Sequence, residues 1–175
     1  MNGLGAISLR DYIRDVPDFP KPGIVFKDIT PLLADGDAFS AAISELGCFV
    51  PHDVDVIVGV ESRGFIFGAA LAQQMGLGMV PVRKPGKLPA DVHAVDYELE
   101  YGMDRLEIHK DSLADGHQVV IVDDLLATGG TARATVDLVQ ALGAHVAACL
   151  FVIELGFLNG RERLGDVPVS SLITY

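Results

Sequence analysis

Val119-Val120-Ile121-Val122-Asp123-Asp124-Leu125-Leu126-Ala127-Thr128-Gly129-Gly130-Thr131 is the stretch that decides the fold class. Four β-branched apolar residues in a row, with no polar alternation, make a strand covered on both faces, as strands of a parallel sheet are. Two carboxylates stand where that strand ends, and open α/β sheets bind ligands beyond the carboxyl ends of their strands. The small residues that follow lead into a helix from about 131 to 142, stopped by Gly143. Exposed amides, glycine flexibility and two hydroxyls at a helix N-terminus make a phosphate cradle. The plainer alternative is a glycine turn beside two solvated aspartates. Against it, adjacent like charges on an apolar strand are costly without a ligand or cation.

The same grammar recurs outward from this stretch. Val56-Ile57-Val58-Gly59-Val60 reads as a buried strand, running through Glu61-Ser62-Arg63-Gly64 into a helix over about 65–75. Strands are also expected at 79–82 and 146–153. Alternating strands and helices predict an α/β fold, a mostly parallel sheet flanked by helices, in a single domain over residues 1–175. Before it, a short helix is expected at Ser8–Arg14, then a proline-dense irregular turn over 16–23. Ile24-Val25-Phe26 reads as a short edge strand, and Asp37 as the N-cap of a helix carrying Phe39, Ile43 and Leu46. The segment from 83 to 113 reads as a mobile excursion with an antiparallel ribbon through Val95, Tyr97, Leu99 and Tyr101.

Composition narrows the function. The chain has 175 residues, half of them hydrophobic, enough to bury a full core. Thirteen Lys and Arg against 24 Asp and Glu give a net charge of −11, which argues against nucleic acid and anionic membranes as partners. Cys48 and Cys149 lie far apart, the N-terminus lacks a signal-peptide pattern, and no apolar run approaches a membrane span. A cytoplasmic location is the expectation. The five histidines show no metal-binding or catalytic spacing.

An anionic substrate would therefore need a local basic site, and Arg83, Lys84 and Lys87 supply three cations within five residues. On a closing loop they would bind pyrophosphate and exclude water; a solvated charged loop is the alternative. Glu61-Ser62-Arg63-Gly64 forms a second strand-to-helix turn whose amides can meet an anion. A nucleophile elbow at Ser62 would need glycine where Val60 stands, and a Walker A loop would need glycine where Pro81 stands.

Residues 119–131 resemble the phosphoribosyl-pyrophosphate signature of the type I phosphoribosyltransferases. The resemblance implies that family's fold, with a small N-terminal hood over about 1–34 and a flexible loop over about 83–103. It implies that Asp123 and Asp124 hold the ribose hydroxyls, while Ala127, Thr128, Gly129, Gly130 and Thr131 wrap the 5-phosphate. Glu61, Ser62, Arg63 and Gly64 become the pyrophosphate loop, and Arg83, Lys84 and Lys87 reach pyrophosphate in a partner subunit's site, so a homodimer is implied. Members that use 6-oxopurines carry Asp where this chain has Ala127. Together with residues 19–26, 61–65, 83–89 and 97–102, Ala127 matches the adenine-using branch. The implied reaction joins adenine and phosphoribosyl pyrophosphate to give AMP and pyrophosphate, a purine salvage step. Mg2+ is the implied cofactor, held mainly by substrate oxygens and water, with no direct protein ligand expected. By the same resemblance Glu100, beside Tyr101, is the catalytic acid/base candidate, with a plain surface Glu as the alternative. Val25 and Phe26 would form the base pocket, although Phe26 also fits a core position. A nucleotide-binding regulator on the same fold, a Ser62 hydrolase, and a transferase for xanthine or hypoxanthine are the competing readings.

Overall fold

The computed structural model describes residues 7–99 and 102–175; Glu100 and Tyr101 lie outside the described residues. Contacts divide the chain into two units, residues 1–45 and 46–175.

In the first unit, strand β1 (Arg14–Pro17) pairs antiparallel with β2 (Val25–Asp28). The helix expected at Ser8–Arg14 is instead a single 3-10 turn, Leu9–Tyr12, because Ile13 is already extended and Arg14 enters the β1 ladder. The proline-rich connection turns through Gly23 at φ +86°, whose amide donates to Asp18 Oδ1 at 2.7 Å. Two helices follow, α1 (Thr30–Ala34) and α2 (Gly36–Gly47). The cap of α2 is Asp35 rather than Asp37: its Oδ1 accepts the Ala38 amide at 2.9 Å, three residues on, while Asp37 lies in the first turn.

The second unit is built on five parallel strands. β3 (Val56–Val60), α3 (Gly64–Met75) and β4 (Gly78–Val82) form the first crossover. A hairpin of β5 (Val92–Leu99) and β6 (Gly102–His109) follows, as expected for the ribbon. Then come β7 (Gln118–Leu126), α4 (Gly130–Ala141), β8 (His145–Glu154) and β9 (Val169–Thr174). Strand order is β4-β3-β7-β8-β9, all neighbours parallel. Val119 to Val122 are fully buried at the sheet's centre, and Val58, Leu138, Cys149 and Phe151 pack into the same core. Burial pushes the Cys149 thiol up to about 12, against a weaker opposing pull from Arg133. No helix among the described residues is long and apolar enough to cross a membrane.

Connections from β3 run to one side of the sheet, toward β4, and those from β7 run to the other, toward β8. The crevice between the carboxyl ends of β3 and β7 is therefore the topological switch point, where such sheets leave room for a ligand.

Candidate active site

β3 and β7 are paired in register from Val56↔Val119 to Gly59↔Val122, so the turns leaving them emerge side by side. Between them lies a cavity of about 350 Å³. Glu61, Ser62 and Arg63 line it from the first turn, Asp123 through Ala132 from the second, and Lys84 from the start of the excursion.

The acid pair sits at the end of β7 under close constraint. Asp124 is 6% exposed and accepts Arg63 Nε at 2.5 Å. Asp123 Oδ1 accepts the Asp124 amide at 2.8 Å. Burial, then the Asp124 charge beside it, raise the Asp123 carboxyl well above the usual carboxylate range, with Arg63 pulling weakly the other way. Gly64 makes the approach of the two turns possible: a Cβ there would lie 2.8 Å from both Asp123 Oδ1 and Val122 O.

Within the stretch from Ala127 to Thr131, Gly129 at φ +82° is the N-cap of α4. That conformation suits glycine, and space forbids more, since a Cβ on Gly129 would sit 2.3 Å from Gly160 O. Gly160 returns the constraint: its own Cβ would be 2.2 Å from Ala127 O. The cradle is thus backed, main chain against main chain, by the 3-10 turn Gly160–Leu164. Arg161 ties that turn to the sheet through two 2.6 Å bonds to Glu154 and one of 2.7 Å to Val169 O. The Arg161 bonds hold the Glu154 carboxyl below its ordinary range, against the cost of burial.

Tyr97, which the sequence analysis left in the ribbon without a role, and Asp104 on β6, which it did not single out, connect the hairpin to this site. Lys84 Nζ donates to Asp104 and to the Tyr97 hydroxyl at 3.0 Å; Tyr97 donates to Asp104 at 3.1 Å and accepts Thr131 Oγ1 at 3.3 Å. One hydroxyl thereby satisfies its donor and both lone pairs. The alternation of Tyr97 with polar residues is the signal that it faces inward.

The basic cluster is arranged differently from the free cations the sequence suggests. Glu61 accepts Lys87 Nζ, the Lys84 amide at 2.9 Å and Arg83 Nε at 3.3 Å. Burial raises the Glu61 carboxyl, but these contacts outweigh it and hold the group at about 2. Of the three cations only Lys84 lines the cavity, and each is paired with a carboxylate of its own chain. The Glu61–Ser62 peptide is cis, and Ser62 is exposed.

Val25 and Phe26 belong to the first unit, on β2. Val25 is 49% exposed, and the Phe26 ring meets Phe19 edge-on at 5.2 Å between centroids. No group of three or more His, Cys, Asp or Glu that could hold a metal ion occurs among the described residues.

Known proteins match the chain over most of its length. The phosphoribosyl transferase domain family matches residues 26–167. An adenine phosphoribosyltransferase from a Synechococcus species is 58% identical over 170 residues, which is 97% of this chain and 99% of that protein. The crystal structure of adenine phosphoribosyltransferase from Thermoanaerobacter pseudethanolicus superposes with a TM-score of 0.93 at 53% identity, covering 95% of this chain and 98% of the other. The Saccharomyces cerevisiae enzyme, complexed with an imino-altritol bisphosphate and adenine, gives a TM-score of 0.87 at 43% identity over 94% and 96% of the two chains. With its acid pair and glycine turn at the sheet's switch point, the chain belongs to the phosphoribosyl transferase family, among the adenine phosphoribosyltransferases.

Proposed function

We propose that the cavity between β3 and β7 transfers the 5-phosphoribosyl group from phosphoribosyl pyrophosphate to adenine, giving AMP and pyrophosphate. The observation that carries this is the placing of two carboxylates between two amide-rich turns, one opening α3 and the other opening α4. The α4 turn takes the 5-phosphate on its amides and on the hydroxyls of Thr128 and Thr131. Asp123 and Asp124 take the ribose hydroxyls, and their charge favours the positive character that grows at the anomeric carbon. The turn 61–64 and Lys84 take the pyrophosphate.

In the reaction the bond from the anomeric carbon to pyrophosphate oxygen breaks and a bond to a purine nitrogen forms, while that nitrogen gives up its proton. Glu100 is the proposed proton acceptor, with Tyr101 beside it. Val25 main-chain groups would pair with the adenine edge, and Phe26 would stack on its ring. Mg2+ suits the oxygen donors here: Asp123 and Asp124 would face it as outer partners, with diphosphate and water completing its shell. When bound, it neutralises the leaving pyrophosphate. A homodimer with shared loops and a cytoplasmic location complete the proposal.

The test is turnover of phosphoribosyl pyrophosphate and Mg2+ with adenine, hypoxanthine, guanine and xanthine in turn. Adenine should be used far better than the rest, because Ala127 stands where 6-oxopurine enzymes place a carboxylate. Comparable use of hypoxanthine would reject this reading in favour of a 6-oxopurine transferase.

A further inference from the structure

A carboxylate in the wall of an anion site is an electrostatic liability, since each fixed negative charge there weakens the anion's binding. Glu61 is such a group. It lines the cavity, and its side chain is only 9% exposed. One oxygen accepts Lys87 Nζ; the other accepts the Lys84 amide and Arg83 Nε. Arg83 then donates through its NH1 to the Lys87 carbonyl at 3.1 Å, closing a ring around the start of the loop. The carboxyl, held at about 2, stays ionised throughout the neutral range.

Stability alone explains this ring poorly. Lys87 is 48% exposed and Arg83 32% exposed, and ion pairs reaching into water contribute little. The ring does have a consequence for an incoming anion: the donors offered to Glu61 are the ones a phosphate oxygen would use. We infer that Glu61 is a positioning residue that acts as an internal substitute for pyrophosphate. In whichever subunit's site the loop serves, it competes with the product for Arg83 and Lys87, and so weakens pyrophosphate binding and speeds product release. When pyrophosphate leaves, the two cations return to a partner already in place, which lowers the cost of letting the product go. This rests on the reading of the cavity as a phosphoribosyl-pyrophosphate site.

The sign of one measurement separates competition from simple anchoring. Inorganic pyrophosphate is titrated calorimetrically, with Mg2+ in fixed excess, into the full chain as wild type, Glu61→Gln, Lys87→Gln and the double variant. Gln keeps an acceptor for the Lys84 amide and removes one unit of charge. Pyrophosphate should bind Glu61→Gln about tenfold tighter, an effect well within that of a nearby unit charge at an effective dielectric near 20. Its product-inhibition constant should fall in parallel. Lys87→Gln should weaken pyrophosphate binding, and adding Glu61→Gln to it should tighten binding less than Glu61→Gln does in the wild-type chain, because one of the released cations is gone. Anchoring predicts the reverse, weaker pyrophosphate binding in Glu61→Gln. Weakening, or tightening by less than about threefold, overturns the inference. Should Glu61→Gln not fold, Glu61→Asp, which keeps the charge but draws it back from Lys87, decides in its place, and pyrophosphate bound no tighter than by wild type overturns the inference. If wild type binds pyrophosphate and Glu61→Gln binds it no tighter, only this inference fails. If wild type does not bind it, the reading of the cavity falls and takes the inference with it.

Discussion

The Arg63 guanidinium meets the Asp124 carboxylate at 2.5 Å, joining the turn after β3 to the acid pair after β7. The cation comes from a residue that is 43% exposed, while the carboxylate is 8% exposed in its side chain. Loss of Arg63 therefore leaves a nearly buried charge beside a second carboxylate. Arg63→Met should lower kcat/KM by at least about tenfold and reduce thermal stability, because removing one member of such a pair costs more than the pair contributes. Adding Asp124→Asn should restore part of the stability and none of the activity. Additive losses of stability in the double variant would show that the two residues act independently.

Asp123→Asn should separate stability from activity. The Asp123 carboxyl is raised by burial and by Asp124, so its ionised form is disfavoured in the folded chain. At neutral pH the variant should melt about 3 °C or more above wild type, as expected for a gain on the order of 1 kcal/mol in a chain of this length. That gain should vanish below the ordinary value of 3.8, where the carboxyl is protonated in both folded and unfolded chains. It should grow as pH rises to the folded value and stay constant above it. Activity should fall at least about tenfold, since a charge-assisted bond to ribose is replaced by a neutral one. A melting temperature below wild type at pH 7 would contradict the assigned shift.

Gly160→Ala probes the support behind the phosphate turn. Its Cβ would lie 2.2 Å from Ala127 O and 3.0 Å from Gly129 N, so the cradle must move to admit it. The expected result is a rise of at least about tenfold in KM for phosphoribosyl pyrophosphate, with KM for adenine changed much less. Equal changes in both constants would mean that the effect is not local to the cradle.

Glu100→Gln tests the proposed proton acceptor. Gln preserves size and hydrogen bonding and cannot take the proton, so kcat should drop about 10²-fold or more. A kcat within about twofold of wild type would make Glu100 a surface residue.

The shared-loop proposal has a complementation test. One variant lacks Arg83 and Lys87, and another carries Asp123→Asn with Asp124→Asn; each should be nearly inactive alone. If loops serve the partner's site, mixed dimers regain one intact site and part of the activity. The described chain pairs Arg83 and Lys87 with its own Glu61, so an exchange between partners must first open those contacts. A monomer by light scattering, or mixed dimers without recovery, would refute the shared site.

The strand-turn-helix units at 56–75 and 119–141 were legible because their signals are local. β-branched runs too apolar for an exposed face give buried strands, and glycine with a carboxylate or hydroxyl at the turn marks where each helix starts. Asp123, Asp124 and the cradle follow from those runs, together with the family resemblance that names their ligands. Less of the periphery could be read. β9 carries Ser170 and Ser171 and is mostly half-buried at the sheet's edge, so it has neither the apolar run nor the clean alternation that marks a strand. Residues 8–14 have a helical pattern, yet pairing with β2 draws Arg14 into a strand.

Side-chain partnership was beyond the sequence altogether. Nothing in the chain's order says that Arg83 and Lys87 will meet Glu61, that Tyr97 will reach Thr131, or that Gly160 will press on Ala127. Those pairs depend on β4 lying beside β3, on the hairpin packing against α4, and on β8 lying beside β7. Local sequence determines backbone conformation through sterics and burial, and here that determined the fold class and the position of the acid pair. Only the packing of distant segments decides which charge neutralises which, because a charged side chain takes whichever partner the assembled sheet brings within reach.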